Sequence, residues 1–96
     1  MKAQTEYRMK DGNMIPAVGL GIWSLKGAEC TQIVKMALNL EYRHIDTGEL
    51  YGNQEDIGKA IKDFDRSKIF VTSKVHGENL RYDDVIKACN RSLDSL

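Results

Sequence analysis

Short apolar strands alternate with amphipathic helices three times along this sequence, and no other feature restricts the fold as strongly. Residues 17–21 read as a strand buried on both sides. Residues 28–40 read as a helix carrying Cys30, Ile33, Ala37 and Leu40 on one stripe. Residues 44–46 form a second short strand. In residues 54–64, Ile57, Ala60, Ile61 and Phe64 recur at the spacing of one helical face. Residues 69–75, rich in β-branched side chains, read as a third strand. Residues 83–96 read as a third helix, with acids in its first turn and Ile86, Cys89, Leu93 and Leu96 facing inward. Strands separated by helices pair in parallel through right-handed crossovers. An open doubly wound sheet and a (β/α)8 barrel both satisfy that rule. The stretch Gly19-Leu20-Gly21-Ile22-Trp23-Ser24 lacks the third glycine of the dinucleotide-binding turn, which counts against the doubly wound sheet.

Ahead of these units, residues 7–15 alternate around Lys10-Asp11-Gly12-Asn13. Asp-Gly is a strong hairpin signal because both residues tolerate positive φ, and Pro16 bars a long continuation. The 96 residues therefore read as a hairpin at about 7–15 and βα units at about 17–40, 44–64 and 69–96. Fourteen basic and fourteen acidic side chains cancel, with no basic patch and no block of like charge. Nucleic-acid and membrane-surface partners are not expected. The longest apolar run, residues 17–23, is short and broken by glycines. Residues 1–10 are polar and lack a secretory signal's apolar stretch. Cys30 and Cys89 have no metal-ligand spacing and read as reduced core residues, in keeping with a cytoplasmic protein. No metal site is expected.

Polar groups cluster where the strands end, the place where barrels and open sheets both build their sites. Asp46 closes the second strand, Tyr51 follows in the loop, and Lys74 lies near the end of the third. Tyrosine, with a reference pKa near 10, is a poor acid at neutral pH. A lysine cation beside it would favour the phenolate, and an aspartate would keep that lysine charged and oriented. A phenol tuned this way can protonate a carbonyl oxygen as hydride reaches the carbon. Taken singly, Asp46 also reads as a turn acid, Tyr51 as a packing aromatic and Lys74 as a solvated charge.

Residues 42–53 spell Tyr-Arg-His-Ile-Asp-Thr-Gly-Glu-Leu-Tyr-Gly-Asn, and residues 69–75 spell Ile-Phe-Val-Thr-Ser-Lys-Val. Together with Met14-Ile15-Pro16-Ala17-Val18-Gly19-Leu20-Gly21 and Asn79-Leu80-Arg81-Tyr82-Asp83-Asp84-Val85, they closely resemble the N-terminal portion of the aldo-keto reductase family. The resemblance runs in order from about Tyr7 to Leu96. It implies a (β/α)8 barrel that binds NADPH or NADH across its C-terminal rim and reduces aldehydes or ketones. Tyr51 would be the general acid, Lys74 the residue that tunes it, and Asp46 the lysine's partner and a contact to the nicotinamide ribose. Gly21, Ile22 and Trp23 would lie beside the cofactor, and Trp23 and His76 would line the substrate pocket. His44 is expected to be a packed barrel residue.

Five positions depart from the family's usual residues. Ile22 stands where threonine is common, Gly48 where alanine is typical, and Gln54 where glutamate follows Tyr-Gly-Asn. Glu41 takes the helix-ending glycine's place, at a cost of about 1 kcal/mol. His76 replaces a frequent tryptophan. The family's substrate-orienting histidine and its adenosine-phosphate loops come later than Leu96. Three strands cannot close a barrel. The chain therefore reads as having a true start and a cut end, and as inactive alone. The alternative is a truncated, non-catalytic module that self-associates through open strand edges.

Overall fold

The computed structural model describes residues 5–96; the first four residues of the polar N-terminal stretch lie outside it. Strands β1 (Glu6–Arg8) and β2 (Met14–Pro16) form an antiparallel hairpin with Tyr7 opposite Ile15. The amide of Gly12 donates to the Met9 carbonyl at 3.0 Å, and Gly12 adopts φ +90°. Only the glycine of Asp-Gly is left-handed. Asp11 instead accepts hydrogen bonds from the main-chain and side-chain nitrogens of Asn13, which together hold its carboxyl below the usual carboxylate range. The loop thus follows the three-residue pattern that ends in a left-handed glycine.

Three parallel strands follow, β3 (Leu20–Gly21), β4 (His44–Asp46) and β5 (Phe70–Thr72), in the order β3-β4-β5. Helix α1 (Gly27–Asn39) connects the first pair, α2 (Gln54–Ile61) the second, and α3 (Tyr82–Ser95) follows β5. Both outer strands are shorter than the sequence suggests, because each abuts a loop that bends away after two or three ladder bonds. Side chains alternate along β4. Ile45 enters a core with Ile22, Cys30, Val34, Leu38, Ile57, Ala60, Ile61 and Ile69, whereas His44 and Asp46 face the other way. On that second face the His44 ring meets Phe70 edge-on at 5.0 Å, and its Nε2 lies 2.8 Å from Thr72 Oγ1. A Cβ at Gly19 would press on the same imidazole at 3.0 Å, so glycine lets that ring pack close.

The first helix ends on a left-handed non-glycine residue, as the sequence implies. Glu41 has φ 72°, its amide donates to the Leu38 carbonyl, and the Tyr42 amide donates to the Ala37 carbonyl. Those two bonds make a Schellman cap. The buried stripe of α1 is Cys30, Val34, Ala37 and Leu38, not one ending in Leu40, which lies past the last helical turn and is largely exposed.

Helix α3 differs most from expectation. Ala88 is its buried residue, while Ile86, Cys89 and Leu93 face outward and Leu96 is half-buried. Polar tethers set this rotation: Arg91 reaches Glu49, and Ser92 reaches Gln54. Of the two free cysteines, Cys30 is in the core, where burial pushes its thiol up, and Cys89 is exposed. Helix α2 approaches the end of α3 closely at Gly58, where a Cβ would collide with the Ser95 carbonyl.

Candidate active site

The parallel ladder does not end at Asp46. Beyond it the Thr47 amide donates to the Thr72 carbonyl at 2.8 Å, and the Glu49 amide to the Lys74 carbonyl at 2.9 Å. The chain leaving β4 therefore runs beside the chain leaving β5. Asp46 is paired with Thr72, and Lys74 is two residues further on, so strand alternation puts both side chains on one face.

There Lys74 Nζ lies 2.7 Å from Asp46 Oδ1, 2.7 Å from the Thr47 carbonyl and 3.4 Å from the Tyr51 hydroxyl. A 3-10 turn, Glu49–Tyr51, delivers the phenol, and the ammonium also stands 5.0 Å over its ring. Left-handed Gly52 (φ 67°) closes that turn. A Cβ at Gly48 would touch the Tyr51 ring at 3.3 Å, so this glycine leaves the phenol slightly more room than alanine would.

The hydrogen bond to Asp46, followed by that to Tyr51, outweighs desolvation and raises Lys74 above the ordinary lysine value of 10.5. A raised cation favours the fold fully below its unfolded pKa and ceases to do so as pH climbs through the folded value. Lys74 is therefore charged throughout the neutral range. The pair is open to water, with side chains 51% and 39% exposed, so its share of folding stability is small.

Two residues absent from the sequence-based set hold this rim together. Asn53 is 1% exposed. Its Oδ1 accepts from the Thr47 hydroxyl at 2.7 Å, and its Nδ2 donates to the Ile22 and Leu25 carbonyls at 3.1 and 2.9 Å. It ties the loop after β3 to the loop after β4. Glu49 accepts from the His76 amide, Asn79 Nδ2 and Arg91 Nη2 at 2.9, 2.7 and 2.9 Å. The His76 amide above all, then Arg91, holds its carboxyl below the ordinary 4.5. A depressed carboxylate lends its stability above the unfolded pKa and loses it as pH falls through the lower folded value. The Glu49 contacts therefore persist until pH drops below about 4.5. Asn53 carried one signal in the sequence, its place in Tyr-Gly-Asn; Glu49 carried none.

The other expected positions separate. Gly21 is exposed, pairs with Asp46 in the ladder, and has no atom within 4 Å of where a Cβ would stand. Ile22 corrects an expectation: it is fully buried in the apolar core, with its carbonyl held by Asn53, so its side chain cannot reach a cofactor on the rim. Trp23 is 70% exposed beyond β3 and does not line the cavity beside Tyr51. His76 does. That cavity, of about 310 Å³, is lined by Gly48, Leu50, Tyr51, Lys74, Val75, His76 and Gly77. The amide of Glu78 donates to His76 Nδ1, which leaves Nε2 to carry the proton of the neutral ring.

A larger hollow of about 610 Å³ lies under the hairpin at the opposite strand ends, between residues such as Met14, Arg43 and Phe70. It holds no linked acid and base, so the smaller cavity is the chemical site. Among the described residues no group of His, Cys, Asp or Glu is arranged to hold a metal ion, and no helix is long and apolar enough to cross a membrane.

Comparison with known proteins agrees with this arrangement. Residues 17–96 match the family model described as "Aldo/keto reductase family". An aldo-keto reductase of Mycobacterium sp. (strain KMS) is 39% identical over 90 residues, covering 92% of this chain and 33% of the relative. An aldo/keto reductase structure from Brucella melitensis superposes with a TM-score of 0.90 at 38% identity, over 96% of this chain and 36% of that one. The Bombyx mori aldo-keto reductase, solved in complex with NADP, gives 0.86 at 32% identity over 96% and 34%. The chain belongs to the aldo-keto reductase family. It spans about a third of the length of the relatives it matches. Its hairpin, parallel sheet and helices are a portion of that family's barrel, and the described residues do not close one.

Proposed function

We propose that this chain supplies the proton-donating part of an NADPH- or NADH-dependent carbonyl reductase. The observation that carries the reading is the contact of one ammonium, Lys74 Nζ, with both the Asp46 carboxylate and the Tyr51 hydroxyl. An aldehyde or ketone in the cavity beside Tyr51 would receive the hydroxyl proton on its oxygen. The Lys74 ammonium stabilises the negative charge that the tyrosine oxygen acquires as the proton leaves, and Asp46 holds the ammonium in place. A bound nicotinamide cofactor supplies the hydride to the carbonyl carbon. The residues present suit its nicotinamide end: Gly21 leaves the rim clear beside Asp46, and Trp23 stands exposed just beyond. The cavity is of the size small ligands use, and His76 Nε2 offers a donor on its wall.

The isolated 96-residue chain is expected to turn over little, because its Asp46–Lys74 pair is half open to water and such devices work in water-excluded sites. Residues 1–96, set in place of the matching third of the Mycobacterium relative, should give NADPH oxidation with 4-nitrobenzaldehyde. A folded but inactive graft, beside an active parent, would sink the reductase reading. Saturable turnover by the isolated chain, lost in Tyr51→Phe, would overturn its expected inactivity.

Exposure of Ile86, Cys89 and Leu93 on α3, with β3 and β5 as open sheet edges, favours a second reading in which copies associate. A monomeric mass on size exclusion would count against it.

A further inference from the structure

Glu49 belongs to the same three-residue turn as Tyr51, yet all its contacts reach toward the segment that carries Lys74. Its main-chain N–H donates to the Lys74 carbonyl at 2.9 Å, and its Oε2 accepts the His76 amide at 2.9 Å. One residue thus grips the chain on both sides of Val75. Its Oε1 accepts from Asn79 at 2.7 Å and from the Arg91 guanidinium at 2.9 Å, adding the following 3-10 turn and α3 to the same clasp. The Glu49 side chain is 17% exposed, against 39% for Asp46 and 51% for Lys74. Glu49 does not line the cavity, and three donors already occupy its two oxygens. Proton exchange with a substrate is therefore not its task.

We infer that Glu49 is a positioning residue for carbonyl reduction: by clasping residues 74–76 to the Tyr51 turn, it fixes the height at which the Lys74 ammonium meets the phenol. The inference rests on the reductase reading above. Lys74 Nζ and Tyr51 Oη are 3.4 Å apart, near the outer limit of a hydrogen bond. A small slip of one loop along the other breaks that contact while leaving the Asp46–Lys74 pair made, since those two are neighbours on the ladder itself. Glu49 is where such a slip is resisted by side-chain as well as main-chain bonds. Arg91 carries the restraint into α3, so the orientation of that helix and the spacing of the acid–base groups are linked through one carboxylate.

Two measurements on Glu49→Ala test this, one of them independent of activity. In the 96-residue chain, hydrogen exchange of the His76 amide should quicken by about 10–100-fold, the effect of removing a charged acceptor. The core amides of Ile45 and Ile57 should keep their protection. In the grafted barrel, kcat should fall by about tenfold or more while the KM for 4-nitrobenzaldehyde stays within about twofold, the mark of a misplaced reacting group. Glu49→Gln, which keeps one carbonyl oxygen for the His76 amide, should recover part of both. Unchanged exchange at His76 would overturn the clasp. Faster exchange with unaltered kcat would reduce Glu49 to a structural role and overturn the positioning claim. Should Glu49→Ala loosen the core amides as well, Glu49→Gln decides: kcat no better than the alanine variant's contradicts the inference. An inactive graft with Glu49 intact would instead sink the reductase reading, and the two failures are told apart by the His76 amide.

Discussion

Replacing Tyr51 by phenylalanine in the grafted barrel is expected to lower kcat by about 10²–10⁴-fold, the range a positioned general acid contributes. The change removes one oxygen. Lys74 keeps its two 2.7 Å contacts, to Asp46 Oδ1 and the Thr47 carbonyl, and the ring beneath the ammonium is retained. Folding, cofactor affinity and KM should consequently move little, so the loss falls on the chemical step. Steady-state NADPH oxidation, with cofactor binding followed separately by fluorescence quenching, separates these quantities. A variant that retained more than about a tenth of kcat would show that the proton comes from elsewhere.

The second large effect is on stability. Asn53→Ala should destabilise the chain by about 2–4 kcal/mol, because it strips partners from groups that have no access to water. The Thr47 hydroxyl, fully buried, loses its acceptor, and the Ile22 and Leu25 carbonyls lose a donor. For a domain of this size each 1 kcal/mol moves Tm by roughly 4–8 °C, so a fall of at least about 8 °C is expected in thermal unfolding followed by circular dichroism. Asn53→Asp keeps the acceptor for Thr47 but not the two donors, and should fall between the two. A Tm for Asn53→Ala within about 2 °C of the native chain would mean that the network is not made in solution.

Most of the fold is legible in the residues because its signals are periodic. Strand β4 occurs at residues 44–46 as its composition predicts, and Ile57, Ala60 and Ile61 are buried at their helical spacing. Asp46 and Lys74 could be placed on one face because both end parallel strands whose side chains alternate. Helix α3 shows where that logic stops. Ile86, Cys89 and Leu93 form a genuine apolar stripe, but a stripe records which side chains avoid water, not which neighbour is present to cover them. In this chain α3 is turned by Arg91 and Ser92 toward Glu49 and Gln54. Ile22 misled for a related reason: position along a strand end suggests the rim, yet the residue after Gly21 points into the core. Asn53, Thr47 and Glu49 were illegible because a polar residue held by three loops has no period. Glu41 was readable, since its backbone follows from where a helix must stop.

If Lys74 serves catalysis only through the Tyr51 hydroxyl, the two side chains cannot contribute independently. The most direct test is a double-mutant cycle in the grafted barrel, measuring kcat/KM for Tyr51→Phe, Lys74→Met and the pair. Once the hydroxyl is gone the ammonium has nothing left to tune, so the double variant should be no more than about twofold slower than Tyr51→Phe alone. Losses that multiply, each substitution costing as much in the double variant as by itself, would contradict a proton donor built from residues 46, 51 and 74.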